Sequence, residues 1–253
     1  MLFDINCATG HWPFRRLPMR SLPELKEHLE SFGIGGAAVT HNHAVCYQNV
    51  HDANLELAEA LDRPGMRDYF VGVATLNPLY PAWAKDLRGC VETLGFRALR
   101  LLPAYHRYAL DGPEAGRILT LAGELGLPVL IPDELVNFRQ RHFMEPEAPL
   151  GLSAIIAAAR KFPGVRLVVL NGTPVAGGEY PDNLYFEISR LRSAFGDVFG
   201  QLAARCGADH LLFGSGAPFK EVEPALLKLH HAPLSAEAQA LVASGNARRL
   251  FQL

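Results

Sequence analysis

Imidazoles, carboxylates and guanidinium groups cluster in this sequence just after short apolar runs, where strand ends would present them to a common space. His41 and His43 stand two apart in VTHNHAV. In an extended segment, residues two apart face the same side, so both imidazoles could address one ligand. With His51, or with Asp133 from across the same space, they could hold a metal ion. The competing reading is a pair of loop histidines that only make hydrogen bonds. His106, in LLPAYHRY, could join Arg100 and Tyr105 in binding a carboxylate or moving a proton, or it could sit in a surface turn. Arg100 interrupts an otherwise apolar run, and a buried cation needs a partner. That partner is either the acid group of a ligand or an internal acid such as Glu187.

The acids follow the same logic. Asp133 and Glu134 come directly after Pro132, so at least one carboxylate stands at a strand end, as base, acid or helix cap. Glu187 lies within YFEIS, where Phe186 and Ile188 must face the opposite side, so alternation turns its carboxylate inward. In TGHWPFRR, His11, Trp12, Phe14 and Arg15 form an aromatic and cationic loop that could clamp an acidic or planar ligand. The same loop could instead pack as a lid or against a second subunit. Asn171 ends another apolar run, in VRLVVLNG. Cys7 is expected in the core and Cys46 is a weak nucleophile candidate, while Ser215 lacks a GxSxG setting.

Positioning these groups falls to eight β-rich runs that alternate with helical patterns. The runs are 2–6, 36–40, 69–76, 96–102, 127–132, 165–171, 184–189 and 211–216. Most are almost continuously apolar, as parallel strands covered by helices are. Ser21 with Glu24, and Asp111 with Glu114, read as capping boxes at helix starts, and Gly33 and Gly126 as stops. Further helical periodicity covers 50–61, 79–94, 151–162, 194–207, 222–230 and 235–250; only the 172–183 connection reads as a loop. Eight such units in 253 residues predict an α/β protein, a distorted (β/α)8 TIM barrel forming one domain over 1–253. Its site would lie at the C-terminal strand ends.

Composition narrows the partners. A net charge of −2 with no basic run argues against nucleic acid and against an anionic membrane surface. MLFDIN has no basic region ahead of an apolar stretch, and four dispersed cysteines without a CxxC suggest reduced thiols. The expectation is a cytoplasmic protein that takes a small-molecule substrate or ligand.

The order of the landmarks GFRALRLLP, GLPVLIP, FPGVRLVVLNG, NLYFEIS, LLFGSGAPF and GNARRLF, after LPELKEHLESFGIGGAAVT, resembles the amidohydrolase 2 branch of the amidohydrolase superfamily. That branch includes aminocarboxymuconate-semialdehyde decarboxylase and pyrone-dicarboxylate lactonase. The resemblance spans essentially the whole chain and implies an amidohydrolase-like barrel, with a homodimer in which the strand 1 loop is a contact. It also implies a divalent metal held by a His-x-His pair on strand 1, histidines ending strands 5 and 6, and an Asp ending strand 8 that serves as base. The matching positions here are Asn6, Ala8, Pro132, Asn171 and Gly216. Neutral amides bind zinc weakly, and Ala, Gly and Pro side chains offer it nothing. The expectation is therefore no cofactor and no metal ligands, with a metal relocated to His41 and His43 as the alternative.

These readings combine into a metal-independent hydrolase or lyase cleaving a C–O, C–N or C–C bond in a small carboxylated or cyclic substrate. His41, His43, His106, Asp133 and Glu187 are its catalytic candidates; His11, Arg15, Arg100, Tyr105 and Asn171 are its substrate-binding candidates. The rival reading is a non-catalytic barrel that binds a small ligand or a protein. One feature stays open on sequence alone: LLFGSGAPF is shaped like an active-site strand end but delivers no ionisable group.

Overall fold

Alternation of apolar strand runs with amphipathic helices leaves each strand two faces to bury, one against helices and one against the other strands. The computed structural model, described for residues 1–174, 178–191 and 197–253, resolves this demand as a barrel. Its strands are β1 (Leu2–Thr9), β2 (Ile34–His41), β3 (Phe70–Thr75), β4 (Ala98–Arg100), β5 (Val129–Pro132), β6 (Leu167–Leu170), β7 (Leu184–Glu187) and β8 (Leu211–Leu212). They pair in parallel in sequence order. Hydrogen bonds from Ile5 N to Phe213 O (3.1 Å), Ala8 N to Ala217 O (3.0 Å) and Gly216 N to Asn6 O (3.1 Å) close β8 onto β1.

The helices are α1 (Leu22–Ser31), α2 (Val50–Leu61), α3 (Trp83–Glu92), α4 (Pro103–His106), α5 (Pro113–Glu124), α6 (Leu152–Lys161), α7 (Val198–Cys206), α8 (Glu223–His231), α9 (Ala236–Ala240) and α10 (Asn246–Phe251). The capping box at α1 forms, with Glu24 Oε2 accepting from Ser21 N at 3.0 Å. The one expected at Asp111 does not. Gly112 holds the cap position of α5 and Pro113 starts the helix, its ring supplying the first-turn φ without a side-chain cap. The predicted 194–207 helix begins at Val198 within the described residues; 194–196 lie outside them, as do 175–177 of the predicted loop. No helix among the described residues is long and apolar enough to cross a membrane.

Two apolar layers result. The outer one packs residues such as Val39, Leu99, Val129 and Val169 against Leu25, Leu57, Ile118 and Ile155 of the helices. The inner one fills the barrel with Phe3, Ile5, Ala38, Val73, Ala98, Leu130, Val168, Leu170 and Leu212, and α10 closes it from below with Ala247, Leu250 and Phe251. One step of two residues further along the strands, the inward positions become Thr40, Thr75, Arg100, Pro132, Glu187 and Gly214. The barrel thus changes from hydrocarbon to polar chemistry within one layer, at its C-terminal end.

Candidate active site

Gly214 explains part of the ligand-free strand end. A Cβ there would lie 2.5 Å from Glu187 Cγ and 3.1 Å from Asn6 Cβ, so only glycine leaves room for both. Glu187 is 1% exposed. Its Oε2 accepts from Asn171 N at 3.0 Å, Asn6 Nδ2 at 3.2 Å and Ser189 Oγ at 2.9 Å, and its Oε1 accepts from Ser189 N. Burial pushes the Glu187 carboxyl above its ordinary range, opposed by Lys220 and by these hydrogen bonds. Asn171 takes the left-handed φ of 54° that asparagine tolerates, ending β6 with its side chain in this network.

Gly216 explains the rest. With a φ of 83° it occupies the left-handed region, and a Cβ there would lie 3.0 Å from Lys220 Cδ. The Lys220 side chain runs through the space left free at residue 216. Its Nζ donates to Asn171 Oδ1 at 2.6 Å and to Ser189 Oγ at 2.8 Å. Burial lowers its ammonium pKa to about 7; Glu187 pulls the value upward, while Arg190 and Lys228 push it down. Lys228 donates to the Ser189 carbonyl from the other side. Below this group Asp4 ties β1 to β8, its Oδ1 accepting from Asn6 N at 2.9 Å and Ser215 N at 3.0 Å. Ser215 Oγ is occupied in the turn, accepting from Ala217 N at 3.0 Å.

Arg100 enters the same layer from β4. It is 5% exposed, and its Nη1 donates to Thr40 Oγ1 at 2.7 Å. Its Nε is buried without an acceptor, and it makes no ion pair among the described residues. Burial lowers its pKa to about 10. Glu187 is taken up by the Lys220 network, so the internal pairing of Arg100 with Glu187 raised by the sequence is not the arrangement found. Tyr105, next to Arg100 in the fold, gives its hydroxyl proton to Glu145 Oε1 at 2.9 Å. Above them Trp12 meets Phe14, Tyr105 and Phe219 edge-on, with ring centroids 5.4, 6.0 and 4.9 Å apart. Trp12 is 4% exposed, so the strand 1 loop packs as a roof over its own barrel. Arg15 reaches sideways to Gln140 Oε1 at 3.1 Å.

Beside the roof lies a cavity of about 460 Å³, lined in part by Leu102, Tyr105, Pro132, Asp133, Arg141 and Arg190. Asp133 Oδ1 accepts from Gly151 N at 2.9 Å, and burial raises its pKa against that bond and Arg190. Glu134 pairs with Arg190 in the cavity wall.

The remaining histidines lie elsewhere. Thr40 faces the barrel, so its neighbour His41 turns outward, toward α2. There Glu56 Oε2 stands 2.6 Å from His43 Nδ1 and 3.5 Å from His41 Nδ1, and Tyr47 donates to Glu56 Oε1 at 2.7 Å. His41, His43 and Glu56 could hold a metal ion. The third ligand is thus Glu56, whereas His51 contacts Cys90 Sγ at 3.7 Å and Asp133 belongs to the cavity. Burial, then His43, lowers the His41 pKa to about 4. His11 stacks on His43 with centroids 6.4 Å apart, outside the polar layer. His106 is buried against the turn after β2, its Nε2 2.9 Å from Ala44 O, which makes it a packing residue and not a surface one. Cys7 belongs to the outer core, and burial raises the pKa of the exposed-side thiol Cys46, which leaves it unactivated.

A family model described as Amidohydrolase matches residues 8–253. The chain belongs to the amidohydrolase family. Its barrel superimposes on 2,6-dihydroxybenzoate decarboxylase from Rhizobium with a TM-score of 0.74 at 15% identity, covering 100% of this chain and 99% of the other. A dihydroxybenzoic acid decarboxylase from Polaromonas, with bound manganese and 2-nitroresorcinol, gives 0.72 at 16% identity, covering 100% and 97%. A Pseudomonas putida protein provisionally described as a 2-pyrone-4,6-dicarboxylic acid hydrolase gives 0.70 at 18% identity, covering 99% and 97%. No curated protein sequence matches this one. These likenesses establish the amidohydrolase barrel, as the landmark order implied.

Sequence reasoning missed Lys220 and Glu56, and gave Ser189, at the end of strand 7, no role. Lys220 had one signal: strand 8 ends in small residues, and the nearest cation downstream is a lysine four residues past Gly216. Glu56 sits on α2 at no motif spacing from His41, and only the fold brings them together.

Proposed function

We propose that this amidohydrolase-family protein is an enzyme that cleaves a small carboxylated substrate at the barrel mouth. The observation that carries the reading is Arg100. A guanidinium held in the inner layer with one hydroxyl partner, a free Nε and no carboxylate leaves most of its desolvation cost uncompensated. An incoming carboxylate would compensate it and fix the substrate by charge-assisted hydrogen bonds. Relatives named as decarboxylases of hydroxybenzoates, and one described as a hydrolase of a dicarboxylic acid, act on substrates of that kind.

We also propose that the mouth works without the family's metal. Asn6 and Asn171 are spent on Glu187 and Lys220, and the Lys220 nitrogen donates to the Asn171 oxygen at 2.6 Å. A dication would meet neutral amides, no imidazole, and a lysine side chain already crossing the space. The residues at the family's ligand positions do not fit the metal. The polar layer offers the Lys220 amine, Glu187 as proton acceptor and Ser189 between them. A metal, if bound, belongs with His41, His43 and Glu56 on the outer side of β2.

The test is a panel of carboxylated aromatic and aliphatic acids, scored for turnover with wild type and Arg100→Gln. Turnover lowered in the variant, with KM raised on the carboxylated compounds, supports the reading. Equal kinetics would refute it. Metal content after zinc or manganese loading, compared in wild type and His43→Ala, tests the second part. Retention that depends on His43, with turnover unchanged after removal of the metal, is the expected result.

A further inference from the structure

We propose that Lys220 is the reacting amine of this site and forms an imine with the carbonyl carbon of a 3-oxo dicarboxylic acid. The imine then accepts the electron pair released when the substrate loses one carboxylate as CO2. The inference rests on the reading of the mouth as the reaction site, with Arg100 holding the carboxylate that stays.

The nitrogen is placed for this. Nζ has two acceptors in the protein, Asn171 Oδ1 at 2.6 Å and Ser189 Oγ at 2.8 Å, and no ion pair among the described residues. Two acceptors satisfy the two N–H groups of a neutral amine and leave its lone pair undirected toward protein; an ammonium would have a third donor to place. A lysine kept only for structure would be expected to pair with a carboxylate, and Glu187 is separated from it by the Ser189 hydroxyl. Lys220 as a whole residue is partly exposed. The cavity wall also reaches Thr173 and Arg190, close in sequence to Asn171 and Ser189.

The proton path is continuous. Ser189 Oγ lies 2.8 Å from Lys220 Nζ and 2.9 Å from Glu187 Oε2. An ammonium proton passed through that hydroxyl yields a neutral amine and a neutral carboxylic acid, the state that burial favours for both groups. The hydroxyl then turns its own proton to Asn171 Oδ1 at 3.2 Å, which leaves the Nζ lone pair free. Arg190 and Lys228, the other cations facing Nζ, favour it as well. This is the standard means of activating a lysine, desolvation beside further positive charge.

The chemistry then balances. Nζ attacks the ketone carbon, and the ketone oxygen takes the proton returned by Glu187 through Ser189, giving a carbinolamine. Loss of water gives the protonated imine. The bond to the carboxylate β to the imine breaks, CO2 leaves, and its electron pair forms an enamine. A proton taken up at carbon regenerates the imine, and water hydrolyses it to the ketone and free Lys220. One proton is consumed overall, water is released and reused, and no oxidant or reductant is required.

The experiment is reductive trapping. The full-length protein is incubated with 3-oxoglutarate and sodium cyanoborohydride, and the product is analysed by intact mass and peptide mapping. The expected result is the reduced adduct on Lys220, at least tenfold above that on Lys26, Lys85, Lys161 or Lys228, and its loss in Lys220→Arg and Lys220→Met variants. Circular dichroism confirms that both variants fold. The rate of trapping should rise through pH about 7, not near the ordinary lysine range. Absence of label at Lys220, or labelling no greater than at the other lysines, overturns the imine. If 3-oxoglutarate binding measured by calorimetry still depends on Arg100 in that case, the carboxylate reading stands alone. If binding is also lost, both have failed.

Discussion

Gly216 and Lys220 share one volume: the Cβ that any other residue would place at 216 falls 3.0 Å from Lys220 Cδ and 3.5 Å from its Cε. The family resemblance implies an aspartate at the end of strand 8. Here the same point is crossed by a lysine from four residues downstream, and an amine stands where the acid would.

Restoring the acid should therefore fail as a single change. Gly216→Asp forces a Cβ into a φ of 83° and against Lys220, at a cost of about 1–3 kcal/mol. Chemical denaturation should show the midpoint lowered accordingly. Pairing the change with Lys220→Ala removes the collision but leaves the backbone strain, so the double variant should recover only part of the loss.

Arg100→Met separates stability from activity. The guanidinium is buried without a carboxylate, and an apolar side chain of similar length removes that desolvation cost. Thermal unfolding of the ligand-free protein should shift upward or stay level. Binding of carboxylated ligands should fall by about one to two orders of magnitude, the value of a charge-assisted hydrogen bond or two.

Glu187→Gln replaces one of two accepting oxygens by an NH2. Both oxygens of Glu187 face donors, Ser189 N on one side and Asn171 N, Asn6 Nδ2 and Ser189 Oγ on the other. Either orientation of the amide sets N–H against N–H, and about 1–3 kcal/mol of stability should be lost. The variant should also lose turnover, because the amide cannot take the proton passed by Ser189. A variant with wild-type turnover and stability would contradict both roles.

His41 sets a pH dependence of stability. Its folded pKa is lowered to about 4 from 6.5, so the folded state resists a proton that the unfolded chain accepts. The contribution is fully present above pH about 6.5, falls as the pH drops through that value, and levels off below about 4. Titration of the ring resonances by NMR should place the His41 midpoint near 4, and His41→Asn should flatten the acid limb of the stability profile.

Much of this architecture was legible in the residues. β2 and β6 announced themselves as apolar runs, and the inward turn of Glu187 followed from Phe186 and Ile188 alone, because strand alternation is local. Arg100 stood out for the same reason. What could not be read was the partner of each group. Glu187 meets Lys220 through Ser189 because β7, β8 and the turn after β8 converge in space, a relation no spacing encodes. His41 and His43 pointed together as expected, yet to the outer side, because Thr40 took the inward position and a strand has only two faces. His106, expected at a mouth or a surface, is drawn inward by the Ala44 carbonyl.

The inner core also has an order of assembly built into it. Ala247, Leu250 and Phe251 pack against Phe3, Ile5 and Leu212, so the first strand waits for some of the last residues of this sequence. The two ends of this sequence therefore share one set of apolar contacts, and the barrel floor is sealed by residues more than 200 positions away from the strand they cover. A truncation that removes Leu250 and Phe251 would uncover Phe3 and Ile5 at the floor while leaving every polar contact of the mouth in place.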